Sequence, residues 1–184
     1  MRPTITGTAF SNTVFRVWGV HPISQGIPKL SSFIPVAAHG TILVVEDSQN
    51  DIDLLLRTFK QVGVANHIEV CRSADEAELY LQKHDLPSVM LLDLKMPARD
   101  GFYVLRKVKT SPLLRELVVI VLTTSSDMMD IRLAYELGAN SFLTKPFDLA
   151  EFREMIKAFH QYWIIHAKPV PLEGRVIPNP GEAA

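Results

Sequence analysis

The sequence predicts an α/β fold in which five parallel strands form a doubly wound sheet with helices on both faces. Between residues 39 and 166, five short apolar runs alternate with five longer amphipathic segments, which is typical of a (βα)5 repeat. Three of the short runs are apolar throughout, as expected for strands that are buried on both faces. Because crossovers between parallel strands are right-handed, the repeat places helices on both sides of the sheet.

The predicted elements alternate without a break. The strands are expected at 41–45, 67–71, 88–92, 117–122 and 140–143. The helices are expected at 50–62, 74–84, 101–110, 126–137 and 149–163. Ser48, Ser73 and Asp148 precede three of these helices and are typical N-cap residues. Gly63 and Gly138 follow two helix ends, where glycine readily adopts the left-handed conformation.

The last predicted helix carries two apolar features. Its stripe of large side chains, expected to pack on the sheet, consists of Leu149, Phe152, Ile156, Phe159 and Trp163. The run 162–165 exceeds what one stripe can bury, so we expect an exposed apolar patch there. Such a patch indicates an interface, and we expect a homodimer through this helix.

Proline divides the chain into three parts. Residues 1–38 and residues 167–184 each contain four prolines, a density that opposes helices and central strands. We therefore expect an irregular or disordered extension at 1–38, one domain at 39–166 and a proline-rich tail at 167–184. That tail is too short for a second domain, so the function is expected in the middle segment.

Composition excludes several classes of protein. A net charge of -1 provides no basic surface for nucleic acid or for an anionic membrane. The single Cys71 cannot form an internal disulfide, and the histidines lack metal-ligand spacing. No apolar run reaches the roughly 18 residues that a membrane span needs. We expect a soluble, cytoplasmic protein that binds neither nucleic acid nor membrane.

Polar side chains follow four of the five predicted strands. Glu46 and Asp47 come directly after the first strand, and Asp93 follows the third. Thr123 ends the fourth strand, and Lys145 follows the fifth. The carboxyl ends of parallel strands share one edge of the sheet, where ligands of α/β proteins bind. Converging carboxylates repel each other unless a cation neutralises them, and oxygen ligands favour a hard ion such as Mg2+.

Four short segments carry a family resemblance. They stand in order at the predicted strand ends and are 44–47, 92–97 with Asp100 and Gly101, 122–124 and 145–147. Over residues 39–166 the chain resembles the receiver domain of two-component response regulators, which has a flavodoxin-like fold. The ending 162–165 and the loop 122–127 resemble those of single-domain receivers that serve phytochrome-type sensor kinases.

The resemblance implies a role for each strand-end residue. Asp93 would be the phosphoacceptor. The implied Mg2+ ligands are Glu46, Asp47, Asp93 and the main-chain carbonyl of Lys95. The implied phosphoryl-binding and switch residues are Thr123, Lys145 and Phe142. A cis bond between Lys145 and Pro146 would aim the lysine inward.

The resemblance also implies a function. The chain would be a single-domain response regulator that accepts a phosphoryl group from a sensor histidine kinase or a histidine phosphotransfer protein. It would signal through an altered surface of the fourth helix, fifth strand and fifth helix, and it would not be an enzyme in the ordinary sense. Three residues depart from the common family pattern: Glu46 replaces Asp, Thr124 replaces a small residue and Phe142 replaces Tyr.

Three alternatives stay open at this point. One is a receiver-like docking module that works without phosphorylation. A haloacid-dehalogenase-like phosphatase would need a second Asp two positions after Asp93, where this chain has Lys95. A flavin-binding protein would need a loop rich in Ser, Thr and Gly after the first strand, where this chain has the acidic segment 46–49.

Overall fold

A computed structural model describes residues 40–168 of the chain. The strands are β1 (Ile42–Val45), β2 (Ile68–Cys71), β3 (Val89–Leu92), β4 (Val119–Thr123) and β5 (Ser141–Thr144). The helices are α1 (Gln49–Val62), α2 (Ala74–Lys83), α3 (Gly101–Thr110), α4 (Met128–Glu136) and α5 (Leu149–Phe159), and a π-helix follows at His160–His166. The expectations for residues 1–38 and for all but the first two residues of the tail lie outside the described residues.

All five strands are parallel, in the order β2-β1-β3-β4-β5. This topology confirms the predicted fold class. The chain runs outward from β1 in one direction to β2 and in the other to β3, and such a reversal opens a crevice at the carboxyl ends of β1 and β3. The register pairs Val45 with Leu92. The residues that follow them, Glu46 and Asp93, are therefore neighbours.

The sheet separates two apolar layers. Alternate residues of a strand face opposite sides, so Leu43 and Val45 pack with α2, α3 and α4, whereas Ile42 and Val44 pack with α1 and α5. The strands β1, β3 and β4 are buried along their whole length, as their apolar sequences predict. These three strands form the rigid centre from which the strand-end side chains project.

The predicted helix caps are confirmed. The side chains of Ser48, Ser73 and Asp148 each accept a hydrogen bond from a backbone N–H in the first turn of the following helix. Gly63 and Gly138 follow helix ends with positive φ angles of 86° and 97°. Each cap satisfies backbone groups that the end of a helix leaves without partners.

The last helix differs from its prediction. Leu149 is 66% exposed rather than packed on the sheet, because helical side chains point towards the N-terminus and the first residue has no preceding turn to cover. The π-helix adds residues to each turn and thereby rotates Ile164 into the core. The predicted patch at 162–165 is therefore reduced to Tyr162 and Ile165, which are 61% and 40% exposed.

No helix within residues 40–168 combines the length and the apolarity required to cross a membrane.

Candidate functional site

Three carboxylates meet at the carboxyl edge of the sheet. Glu46 and Asp47 follow β1, Asp93 follows β3, and one oxygen from each lies within 4.8 Å of the others. Glu46 and Asp93 are buried, and Asp47 is half-buried. The parallel register of β1 and β3 produces this convergence, because it places the residues after both strands side by side. We call Glu46, Asp47 and Asp93 the acid cluster.

Lys145 directly follows β5 and reaches towards the acid cluster. Its Nζ donates one hydrogen bond to Glu46 Oε2 and one to Asp51 Oδ2, each 2.6 Å long. Its side chain is only 10% exposed. The described residues contain no cis peptide bond, so the Lys145–Pro146 bond is trans and the lysine points inward without the cis bond considered above. Sequence reasoning did not identify Asp51, which lies in the first turn of α1.

Burial and ion pairing shift the pKa values of this pair. Burial raises the pKa of Glu46, and the hydrogen bond and charge of Lys145 offset that effect only in part. Burial also opposes the charge on Lys145, but hydrogen bonds to Asp51 and Glu46, together with the charge of Asp93, outweigh it and raise the lysine pKa. Lys145 therefore remains a cation in the physiological range.

The Asp93 carboxylate carries a buried oxygen without a partner. Its Oδ1 is the only buried carboxylate oxygen among the described residues that lacks a hydrogen-bond partner. Such an oxygen destabilises the fold unless a cation or another ligand covers it. The donor set of the acid cluster consists of oxygen atoms alone, and this set fits a hard divalent cation such as Mg2+. Lys95 lies two residues after Asp93, in the loop between β3 and α3.

A close approach of α3 positions Asp93. The Asp100 side chain caps α3 by accepting a hydrogen bond from the Tyr103 N–H at 3.0 Å. A Cβ atom at Gly101 would lie 2.1 Å from the Asp93 main-chain oxygen, a distance that no side chain can tolerate. The pair Asp100 and Gly101 therefore has a structural role, since it lets α3 begin directly against the backbone of Asp93.

A hydrogen-bonded chain connects the site to α4. Thr123 is fully buried, and its Oγ1 accepts a 3.4 Å bond from the Ser125 N–H. The Ser125 hydroxyl donates to Asp130 Oδ2 at 2.6 Å, and Lys95 Nζ donates to the same oxygen at 2.8 Å. The first turn of α4 is thus tied to the loops after both β3 and β4. Phe142 lies half-buried on β5, against the layer that contains α4.

The part of the chain that contains this site is similar to known proteins. A protein-family model described as "Response regulator receiver domain" matches residues 42–157. The "Probable methanogenesis regulatory protein FilR2" of Methanothrix harundinacea is 38% identical over 128 residues, which cover 67% of this chain and 83% of that protein. The "Response regulator Rcp1" of Synechocystis is 33% identical over 129 residues, which cover 67% of this chain and 88% of that protein.

Solved structures show the same likeness. The Mn(2+)-bound form of response regulator Rcp1 superposes with a TM-score of 0.67 at 31% identity, over 72% of this chain and 99% of that chain. The phosphorylated cyanobacterial phytochrome response regulator RcpA superposes with a TM-score of 0.68, also at 31% identity, over 72% of this chain and 99% of that chain.

Proposed function

The chain belongs to the response regulator receiver family of two-component signalling, and we propose that Asp93 accepts a phosphoryl group. The observation that carries the proposal is the buried Asp93 oxygen without a partner, which lies within the acid cluster. The donor is a phosphohistidine of a sensor histidine kinase or a histidine phosphotransfer protein. An Asp93 oxygen attacks phosphorus, the phosphorus–nitrogen bond breaks, and the imidazole leaves with that electron pair.

Mg2+ is the proposed cofactor. Glu46, Asp47, Asp93 and the main-chain carbonyl of Lys95 would hold it, and the bound ion would neutralise charge on the transferred group. The oxygen donor set of the acid cluster supports this assignment. So do the Mn2+ in one related structure and the phosphorylated state of another. Lys145 supplies the second positive charge beside Glu46.

Thr123 and Lys145 respond to the new phosphoryl group. Each would donate a hydrogen bond to one of its oxygens, and hydrogen bonds to charged groups contribute about 1.5 to 3 kcal/mol each. Movement of Thr123 is transmitted to α4 through Ser125 and Asp130. Space vacated by Thr123 lets Phe142 rotate inward. The surface formed by α4, β5 and α5 thereby changes, and a protein partner binds the altered surface with a different affinity.

The remaining proposals follow from this role. The protein signals by contact with other proteins rather than by turning over a substrate. It acts in the cytoplasm, and residues 39–166 form its receiver domain. Exposed apolar side chains on α4 and on the last helix support a homodimer through this face. They are Met128, Met129, Tyr135, Tyr162 and Ile165. The proposed partners include neither nucleic acid nor a membrane.

The test is the intact mass of the protein after incubation with acetyl phosphate, with and without Mg2+. We expect the native protein to gain one phosphoryl group only when Mg2+ is present, and the Asp93→Asn variant to gain none. A native protein that gains none, even with several phosphodonors, would favour the docking module that works without phosphorylation. Steady release of phosphate from an ester would favour the phosphatase.

A further inference from the structure

Asp51 is a fourth carboxylate at the carboxyl edge, and it stands outside the acid cluster. It binds Lys145 Nζ at 2.6 Å, the same distance as Glu46 does. Neither of these two bonds goes to Asp93, whose Oδ1 has no partner. The ammonium is therefore held between β1 and α1 rather than on the carboxylate that would receive the phosphoryl group.

The position of Asp51 is well defined by α1. It is the third residue of the helix, and its N–H donates to the Oγ of the N-cap Ser48. A carboxylate in the first turn of a helix interacts favourably with the helix dipole. The side chain is 36% exposed and lines a cleft of about 280 Å3 together with Lys145, Leu122 and Phe152. The Asp51 carboxylate is thus a fixed acceptor at the rim of the site.

We infer that Asp51 is a positioning residue that holds Lys145 on the α1 side of the site until a phosphoryl group on Asp93 draws the ammonium away. The inference rests on the proposed function. Glu46 belongs to the acid cluster and stays beside the ammonium when it moves, whereas Asp51 lies outside that cluster. The bond to Asp51 is the one that breaks, so Asp51 competes with the phosphoryl group for Lys145.

If Asp51 competes for Lys145, its removal should increase the affinity of the site for a phosphoryl group. Removing the Asp51 carboxylate frees Lys145, so an anionic phosphoryl group should bind more tightly in the variant than in the native protein. The probe is beryllium fluoride with saturating Mg2+, measured by titration calorimetry on the full chain. We expect Asp51→Asn to lower the dissociation constant about fivefold or more. Asp51→Ala removes the acceptor completely and should change affinity in the same direction.

The matched control is Asp53→Asn. Asp53 lies in the same helix and carries the same charge, but it accepts a bond from Gln49 at 2.8 Å and none from Lys145. We expect its removal to leave beryllium fluoride binding close to native. Equal tightening in Asp53→Asn and Asp51→Asn would overturn the inference, because a general loss of negative charge would then explain both.

A second measurement needs neither metal nor beryllium fluoride. The 15N resonance of the Lys145 ammonium should move in Asp51→Asn and stay in place in Asp53→Asn. An unmoved resonance, or native or weaker beryllium fluoride affinity in both Asp51 variants, would overturn the inference while leaving the proposed function intact. A native protein that neither binds beryllium fluoride nor gains a phosphoryl group would overturn the proposed function, and this inference with it.

Discussion

Two lysines with little exposure to solvent lie at opposite edges of the same sheet, and their partners differ in kind. Lys145, at the carboxyl edge, binds the carboxylates of Glu46 and Asp51. Lys109, in the last turn of α3 at the amino edge, donates hydrogen bonds to uncharged oxygens within residues 40–168: the carbonyls of Arg115 and Leu117 and the side chain of Asn140. Lys145 thus lies between two carboxylates, whereas Lys109 connects the segments that follow α3 and precede β5.

The partners decide the proton affinity of each lysine. Burial lowers the pKa of Lys109 to about 8, whereas the two carboxylates raise the pKa of Lys145 despite its burial. Asn140 also accepts the Val119 N–H at 2.9 Å, so Lys109 joins the end of α3 to the starts of β4 and β5. The comparison shows that the carboxyl edge brings charged groups together, whereas at the amino edge a lysine joins loops through uncharged oxygens.

The sharpest test replaces each lysine by methionine. Lys145→Met leaves two acids without their cation, so we expect unfolding free energy to fall by about 3 kcal/mol, the low end for breaking a buried pair. Beryllium fluoride binding should weaken at least tenfold, roughly the effect of one charged hydrogen bond. Lys109→Met should cost about 1 to 2 kcal/mol of unfolding free energy and leave binding unchanged. Weaker beryllium fluoride binding in Lys109→Met would contradict the assignment of binding to the carboxyl edge alone. Urea unfolding and titration calorimetry measure both quantities.

Two glycines extend the comparison. Gly101→Ala places a Cβ against the Asp93 main chain at 2.1 Å, and we expect unfolding free energy to fall by about 3 kcal/mol, with weaker Mg2+ binding. Gly138→Ala, beside Lys109, meets only side-chain atoms at 3.3 Å or more but has a positive φ of 97°. It should cost about 1 to 2 kcal/mol and leave Mg2+ binding unchanged. Equal Mg2+ affinities in the two variants would contradict the close approach of α3 to Asp93. Urea unfolding with Mg2+ titration provides both readouts.

The pH dependence of stability should have opposite signs for the two lysines. The pKa of Lys109 is about 8 when folded, below its ordinary value of 10.5, so between these values the unfolded chain binds more protons and stability rises with pH. Relative to Lys109→Met, the native protein should gain about 1 kcal/mol from pH 8 to pH 9. Lys145 has a raised pKa, so its contribution to folding stability is fully present below pH 10.5 and is lost as the pH rises above that value.

Urea unfolding from pH 7 to pH 10 on the native protein and Lys109→Met measures the first difference. Extending the series above pH 10.5 on the native protein and Lys145→Met measures the second. A difference between native and Lys109→Met that stays constant with pH would mean that three uncharged oxygens keep this lysine protonated as well as two carboxylates keep Lys145.

The smallest expected effect concerns backbone strain. Ala98, in the loop after β3 at the carboxyl edge, has a φ of 64°, whereas at the amino edge Gly63 adopts a φ of 86°. We expect Ala98→Gly to raise the unfolding free energy by up to about 1 kcal/mol, because relief of the strain exceeds the entropy that glycine adds to the unfolded chain. Gly63→Ala should lower it by about 1 kcal/mol. Thermal unfolding measures the change in stability of both variants. An Ala98→Gly variant that is less stable than the native protein would show that the positive φ of Ala98 causes no net strain.

Much of the carboxyl edge could be predicted because its residues follow strands directly. Asp93 comes one residue after an apolar run, and parallel strands end at a common edge, so local order alone predicts the meeting of Glu46, Asp47 and Asp93. Lys145 was placed at the same edge by the same argument. Its partner Asp51 was not identified, because the two residues are 94 positions apart and no local pattern links them.

The amino edge illustrates what local order leaves open. Lys109 and Asn140 are 31 positions apart, and nothing in either segment indicates that the lysine closes the starts of two strands. The π-helix is a similar case. The spacing of the apolar residues predicted a continuous helix to Trp163, but burial of Ile164 against the sheet requires a wider turn, and only the position of the sheet decides that.

The sequence by itself determined the order of strands and helices, the helix caps and the residues at each strand end. These features depend on neighbours within a few positions, where periodicity and capping act directly. Tertiary structure alone decided which cation meets which anion, and whether a lysine lies among carboxylates or carbonyls. These contacts join residues that are distant in the chain, and their burial determines the strength and the pKa consequences of each bond.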